Sequence, residues 1–168
     1  MARKPIHRVF LVDDEPIQNE MLKDYLSERF NYSFNMYDNG EDALKNMILH
    51  PEIVILDYHL SAHVPTAKNG VQILQELKER YPDTQVVMVS GQDKIQVAVD
   101  SMKYGAYDYI VKGETAFQRM ENTLNRINEL HDSRIVQQSY KKSLVFLTIA
   151  FVCILLLSVV LLLNGGRL

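Results

Sequence analysis

Five polar side chains stand at the ends of four apolar runs. Asp13 and Asp14 close the first (HRVFLVDD), Asp57 the second (EIVILD), Ser90 the third (TQVVMVS) and Lys112 a very short fourth (YDYIVK). If these runs are neighbouring parallel strands, all five groups meet at the carboxyl edge of one sheet, where open α/β sheets bind ligands. Three carboxylates, a hydroxyl and an ammonium gathered there can hold a divalent cation and transfer a phosphoryl group.

Carboxylate and phosphate are both anions, so a carboxylate attacks phosphorus poorly without help. A hard divalent cation removes that obstacle: Mg²⁺ takes octahedral oxygen ligands and binds one or two protein carboxylates together with phosphate oxygens. Asp13 or Asp14 with Asp57 are the carboxylates for this, leaving one Asp57 oxygen to attack. An ammonium such as Lys112 pairs with Asp57 before transfer and with a phosphoryl oxygen afterwards. The Ser90 hydroxyl is suited to hydrogen-bond another phosphoryl oxygen, a bond absent before phosphorylation and so able to drive a conformational change. Taken singly these residues mean little. An Asp pair before proline can cap a helix, and a lysine at a strand end is usually a solvated charge. Their order along the chain carries the argument.

The elements that must position them alternate strand and helix through five rounds. Ile6–Val12 is a near-continuous apolar run, as expected of a strand buried on both faces. Pro16 suits the first turn of a helix carrying Ile17, Met21, Leu22, Tyr25 and Leu26 on one face. Tyr32–Tyr37 alternates as a second strand, and a helix over Glu41–Leu49 stops before Pro51. Ile53–Leu56 is the central strand. Val71, Ile73, Leu74 and Leu77 mark a helix from Gly70 to near Pro82. Val86–Val89 follows as a strand, Ile95–Tyr104 as a helix closed by Gly105, and Tyr107–Val111 as the fifth strand. This alternation predicts an α/β fold with a five-stranded parallel, doubly wound sheet.

Bulk properties divide the chain unevenly. Its 168 residues suit one ordinary domain with some length to spare, and the mean hydropathy of −0.12 is that of a soluble protein. Yet Leu144–Leu163 reads LVFLTIAFVCILLLSVVLLL, twenty residues without a charge. About 20 such residues cross the roughly 30 Å hydrocarbon core of a bilayer. Lys141 and Lys142, with Arg134, flank it and favour a cytoplasmic side for everything before it. Residues 1–140 hold 15 Lys+Arg against 21 Asp+Glu, a net charge of −6, which argues against a nucleic-acid partner. The single cysteine, Cys153, lies within the apolar run and forms no intramolecular disulfide. No Gly or Pro occurs from Glu114 to Asn164, so one helix can extend from Phe117, Met120, Leu124 and Ile127 through the polar stretch 132–143 into the membrane. A flexible tether over 132–143 is the alternative.

The strand-end constellation resembles the receiver domain of bacterial two-component response regulators, over about Ile6 to Ile127. In that family an acidic pair, an acceptor aspartate, a Ser/Thr and a lysine occur in this order, matched here by Asp13 and Asp14, Asp57, Ser90 and Lys112. An aromatic three residues before the lysine, which rotates inward on phosphorylation in many members, is matched by Tyr109. The resemblance implies a flavodoxin-like fold and Mg²⁺ bound by Asp13, Asp14, Asp57 and the backbone carbonyl of His59. It also implies phosphoryl transfer to Asp57 from a histidine kinase or phosphotransfer protein. His59 and Gln92 fall at the two positions where the family tunes dephosphorylation.

Three departures from the family pattern stand out. The segment after Asp57 keeps Leu60, but Pro65 and Gly70 arrive late, leaving SAHVPTAKN (61–69) as an enlarged loop. It is a lid, a partner surface or a tolerated insertion, and surface loops accept length cheaply. Gly113 replaces the proline that usually follows the lysine in a cis bond; glycine tolerates unusual dihedrals, so Lys112 can still reach Asp57. His59 and His63 together form a second, weaker candidate for a transition-metal site.

The resulting expectation is a receiver domain over 1–131, a polar linker over 132–143, a transmembrane helix over 144–163 and a short tail over 164–168. With no output domain, signalling runs through a downstream protein, itself membrane-bound in one version, or through pairing of membrane helices in a homodimer. The receiver faces the cytoplasm at a bacterial inner membrane and is not an enzyme beyond its own Mg²⁺-dependent phosphorylation and dephosphorylation. Two rivals are a receiver-like docking adaptor that is never phosphorylated and a haloacid-dehalogenase-type phosphatase. The latter places nucleophile and acid two apart after the first strand, whereas Asp13 and Asp14 are adjacent.

Overall fold

The computed structural model describes residues 7–60, 68–91, 94–131 and 145–149. Five parallel strands form one sheet: β1 (Arg8–Val12), β2 (Ser33–Tyr37), β3 (Ile53–Asp57), β4 (Gln85–Ser90) and β5 (Asp108–Val111), in the spatial order β2-β1-β3-β4-β5. Their composition explains their placement. All five residues of central β3 are buried, whereas no residue of edge strand β2 is more than half-buried. A strand covered on both faces is apolar throughout, and an edge strand need not be.

Register sets the site. Val12 pairs with both Tyr37 and Leu56, Asp57 with Val89, and Ser90 with Val111. The four apolar runs therefore finish at nearly the same height. Asp13, Asp57, Ser90 and Lys112 emerge side by side at the carboxyl edge.

Helices α1 (Pro16–Ser27), α2 (Gly40–Lys45), α3 (Gly70–Arg80) and α4 (Ile95–Lys103) connect the strands, and a fifth, α5, covers 116–131. Local chemistry fixes their starts. Asn39 accepts the Asp42 amide at the head of α2, and Asn69 forms a reciprocal capping box with Gln72 at the head of α3. The main core includes Phe10, Val54, Leu56, Ile73, Leu74 and Met88, packed between the sheet and α2 to α4.

Two expectations are corrected. The helix expected over Glu41–Leu49 is α-helical only to Lys45, then a 3₁₀ turn over Asn46–Leu49. Asn46 Nδ2 donates to the Asp42 carbonyl at 2.8 Å, and His50, in front of Pro51, adopts a left-handed conformation with φ of 51°. Side-chain competition for a helix carbonyl and the restriction imposed by the following proline together end the α-helix early. On α1, the expected apolar face is only partly inward: Leu26 is fully buried, but Ile17 is 74% and Met21 53% exposed. The buried residue of the first turns is Asn19 instead.

The chain divides into two compact units, 1–124 and 125–168. In the second, residues 145–149 are helical, and Val145, Phe146, Leu147 and Ile149 are exposed. No helix among the described residues is long and apolar enough to cross a membrane. Of the span expected over 144–163, residues 144 and 150–163 lie outside the described residues, as does the linker 132–143.

Candidate functional site

Asp13 leaves β1 with its amide donating to the Tyr37 carbonyl at 3.1 Å, and its Oδ1 accepts the Glu15 amide at 2.9 Å, which turns the chain into α1. Buried Asn19 reaches back from α1, its Nδ2 donating to the carbonyls of Asp13 at 3.0 Å and Tyr37 at 3.4 Å. The ends of β1 and β2 are thereby tied together beneath the acidic pair. Sequence reading passed over Asn19, although it shares the α1 face of Leu22 and Leu26, where a polar residue needs a partner.

Asp57 is 3% exposed at the end of β3. Its Oδ2 accepts the His59 amide at 2.6 Å. Behind it the backbone is held by close approach. Gly70 donates its N–H to the Tyr58 carbonyl at 2.9 Å, and a Cβ there would meet the Asp57 carbonyl oxygen and lie 2.8 Å from Tyr58 Cα. Only glycine lets the head of α3 sit this near the acceptor strand.

Lys112 closes the site from β5. Its Nζ donates to Asp13 Oδ2 at 2.7 Å and lies 3.0 Å from Asp57 Oδ1, so one ammonium bridges two strand-end carboxylates. Its amide donates to the Ser90 carbonyl at 2.8 Å. The glycine at 113 does not prevent this reach; a Cβ at that position would meet nothing within 4 Å. Burial pushes the Asp57 carboxyl above the usual carboxylate range, with the Asp13 charge adding to it and Lys112 opposing. For Lys112 burial acts to lower the pKa, but the hydrogen bond to Asp13 and the charge of Asp57 outweigh it and raise the ammonium.

The structure brings together Asp13, Asp14, Asp57 and Lys112, with Ser90 fully buried on the adjacent strand. Tyr109 is 9% exposed and packs with the core that includes Met88, Val97 and Ala106. Its strand is anchored to α5 by contacts that sequence reading missed. Thr123 Oγ1 donates to Asp108 Oδ2 at 2.7 Å, and Arg119 Nη2 donates to the Tyr109 carbonyl at 3.3 Å. Gln92, His63 and loop residues 61–67 lie outside the described residues. The His59 ring stacks edge-on against Tyr58 at 4.7 Å.

A divalent cation suits this edge. Asp13, Asp14 and Asp57 each bring a carboxylate oxygen within 4.8 Å of the others, the one such group of acids, histidines or cysteines among the described residues. Asp57 Oδ1 is buried, with the Lys112 ammonium 3.0 Å away. Unused lone pairs in an all-oxygen set match a hard ion such as Mg²⁺ rather than a thiophilic metal.

Comparison with known proteins agrees with this geometry. The family model for the response regulator receiver domain matches residues 9–125. The chain is 29% identical over 133 residues to the nitrogen assimilation regulatory protein NtrX of Azorhizobium caulinodans, covering 79% of this chain and 28% of that protein. It is 33% identical over 106 residues to the transcriptional regulatory protein CssR of Bacillus subtilis, covering 63% of this chain and 44% of that one. The crystal structure of the receiver domain of NtrX from Brucella abortus superposes with a TM-score of 0.64 at 30% identity, over 72% of this chain and 98% of that domain. The chain spans about half the length, or less, of the curated relatives it matches. A match over most of the sheet and its helices places this chain in the response regulator receiver domain family.

Proposed function

We propose that this protein is a membrane-tethered receiver in which Asp57 accepts a phosphoryl group from the phosphohistidine of a histidine kinase or phosphotransfer protein. The observation that carries the reading is the Lys112 bridge, 2.7 Å to Asp13 Oδ2 and 3.0 Å to Asp57 Oδ1, at the edge where Ser90 also ends. An Asp57 oxygen forms the new O–P bond while the N–P bond of the donor breaks, and the imidazole keeps the electron pair. Lys112 can transfer its Asp57 contact to a phosphoryl oxygen without leaving Asp13. Ser90 is the hydroxyl for a second phosphoryl oxygen, and Tyr109 is the aromatic that answers it. Asp13, Asp14, Asp57 and the His59 carbonyl would hold Mg²⁺, which when bound offsets the repulsion between carboxylate and phosphoryl oxygens. His59 and Gln92 are the positions for tuning hydrolysis of the acyl phosphate.

Membrane tethering is supported by the twenty uncharged residues of Leu144–Leu163, and Lys141 and Lys142 before them favour a cytoplasmic side for the receiver. Output is by protein–protein interaction, with a downstream protein or with a second copy through the membrane helices, and not by turnover of a substrate. A docking role without phosphorylation is the second reading. What favours it is Gly113 in place of the family's proline, together with the enlarged loop 61–69 after Asp57.

The test is to give the full-length chain Mg²⁺ and a small phosphoramidate donor and to follow intact mass. One added phosphoryl, absent in chelator and absent in Asp57→Ala, is the expected result. A folded chain that gains no phosphoryl contradicts the proposal and supports docking alone.

A further inference from the structure

A cavity of about 340 Å³ lies between the sheet and the upper halves of α1 and α5, and it opens onto the carboxyl edge. Its walls are Met21 and Leu22 of α1, Phe117 and Met120 of α5, and Ile55 and Ile110 of the sheet. Its mouth is polar: Asp13, Asp57 and Glu114 set three carboxylates against the one ammonium of Lys112.

The helices are held apart rather than caught in mid-closure. Below the cavity Tyr25 Oη donates to Glu121 Oε2 at 2.7 Å, and Arg29 Nε pairs with the same oxygen at 3.1 Å. The Arg29 guanidinium lies 3.7 Å over the Tyr25 ring, which packs on Phe117 at 5.2 Å. This pin fixes the spacing of α1 and α5 where the space begins. Buried Asp57 also lines this space, its Oδ1 3.0 Å from the Lys112 ammonium.

We propose that this cavity binds a small hydrophobic amine, its apolar body between α1 and α5 and its ammonium at the carboxylates of Asp13 and Asp57, in competition with the divalent cation. Size sets the body: a 150 Å³ apolar cavity holds benzene, so a space a little over twice that accepts a bicyclic aromatic. It also falls within the range of small-molecule pockets. Charge sets the head. Three carboxylates against one ammonium repel an anionic amphiphile and attract a cationic one. The proposal rests on reading Asp13 and Asp57 as the cation-binding carboxylates. Such a ligand would hold the receiver in a metal-free, phosphorylation-incompetent state.

Methionine methyl NMR on the full-length chain tests this, because Met21 and Met120 line the cavity while Met36, Met47, Met88 and Met102 do not. Tryptamine, added in chelator, should shift the Met21 and Met120 methyls saturably and leave the other four in place. Mg²⁺ at about ten times its own Kd should weaken that binding about tenfold, direct competition scaling it by one plus the ratio of Mg²⁺ concentration to Kd. Indole-3-acetate, similar in body and opposite in charge, should not bind. Ala116→Phe, which adds bulk to the cavity wall, should abolish the shifts, and Met120→Phe is the substitute if that variant does not fold. No shift with tryptamine, equal shifts with indole-3-acetate, or indifference to Mg²⁺ each overturn the proposal. Phosphoryl uptake with Mg²⁺, followed on the same sample without tryptamine, separates failure here from failure of the receiver reading.

Discussion

On the side of the sheet covered by α2 to α4, there is no room for a methyl group: a Cβ at Gly70 would strike the Asp57 carbonyl oxygen, and one at Gly40 would strike the Ile73 side chain. On the side covered by α1 and α5, the same acceptor faces a cavity of about 340 Å³. One side of the molecule fixes where the Asp57 backbone lies, and the other leaves space beside its carboxylate. Under the proposed function, Asp57 must keep its position while a donor, a metal and a phosphoryl come and go, and that needs both. Close packing transmits and resists displacement, so the crowded side is where small changes should cost most.

The largest effect should come from the group that spans the two regions. Lys112→Ala leaves Asp13 and Asp57 buried without their ammonium, and breaking a buried pair from one side costs about 3 kcal/mol. Chemical denaturation in chelator should show that loss, and Mg²⁺ should restore most of it, since a cation bound only by the folded state stabilises it. No loss in chelator would mean the bridge carries little energy.

Next is the crowded side. Gly70→Ala should cost about 2 kcal/mol, because the head of α3 must retreat from backbone atoms that cannot turn aside. It should also weaken Mg²⁺ binding, since Asp57 moves with that backbone. Retained stability would break the contrast between the two faces.

A change confined to charge should act in the opposite direction. The Asp57 carboxyl has its pKa raised in the fold, chiefly by burial. Its contribution to stability is therefore most favourable below the unfolded-state pKa and worsens as pH rises through the folded one. Asp57→Asn does not titrate, so in chelator it should melt above the parent at neutral pH and with it in acid. Mg²⁺, bound by the parent, should erase the gain. Lys112, also raised, behaves oppositely: its stabilisation holds at neutral pH and is lost only as alkaline pH passes its folded pKa.

Smallest is the open side. Ala116→Leu adds bulk at the cavity and should be neutral or stabilising by less than about 1 kcal/mol, measured by thermal melts. A cost as large as that of Gly70→Ala would show that the cavity closes in solution.

Much of this edge is legible in the sequence because buried parallel strands are written as apolar runs, and the residue ending each run is the one at the carboxyl edge. Asp13, Asp57, Ser90 and Lys112 could be read that way, and the register Val12 to Leu56 and Ser90 to Val111 confirms their alignment. What was not legible depends on what lies opposite an element. The five apolar residues expected to form one face of α1 spread around half the helix, with Ile17 opposite Leu26; the covered side is the one shared by Leu22, Leu26 and the polar Asn19, which an apolar pattern does not mark. The role of Gly70 comes from the proximity of Tyr58 and Asp57, which no local pattern encodes. The 3₁₀ turn over Asn46–Leu49 arises from one side-chain hydrogen bond and a left-handed His50 before proline.

The central claim is that Asp57, and not its acidic neighbours, takes the phosphoryl group. Reductive trapping tests it most directly: the full-length chain is phosphorylated with Mg²⁺, treated with borohydride, digested and mapped by mass spectrometry. An acyl phosphate reduces to an alcohol, so residue 57 should be recovered as homoserine while Asp13 and Asp14 remain aspartate. Homoserine at 13 or 14, or a folded chain with none anywhere, would contradict the account.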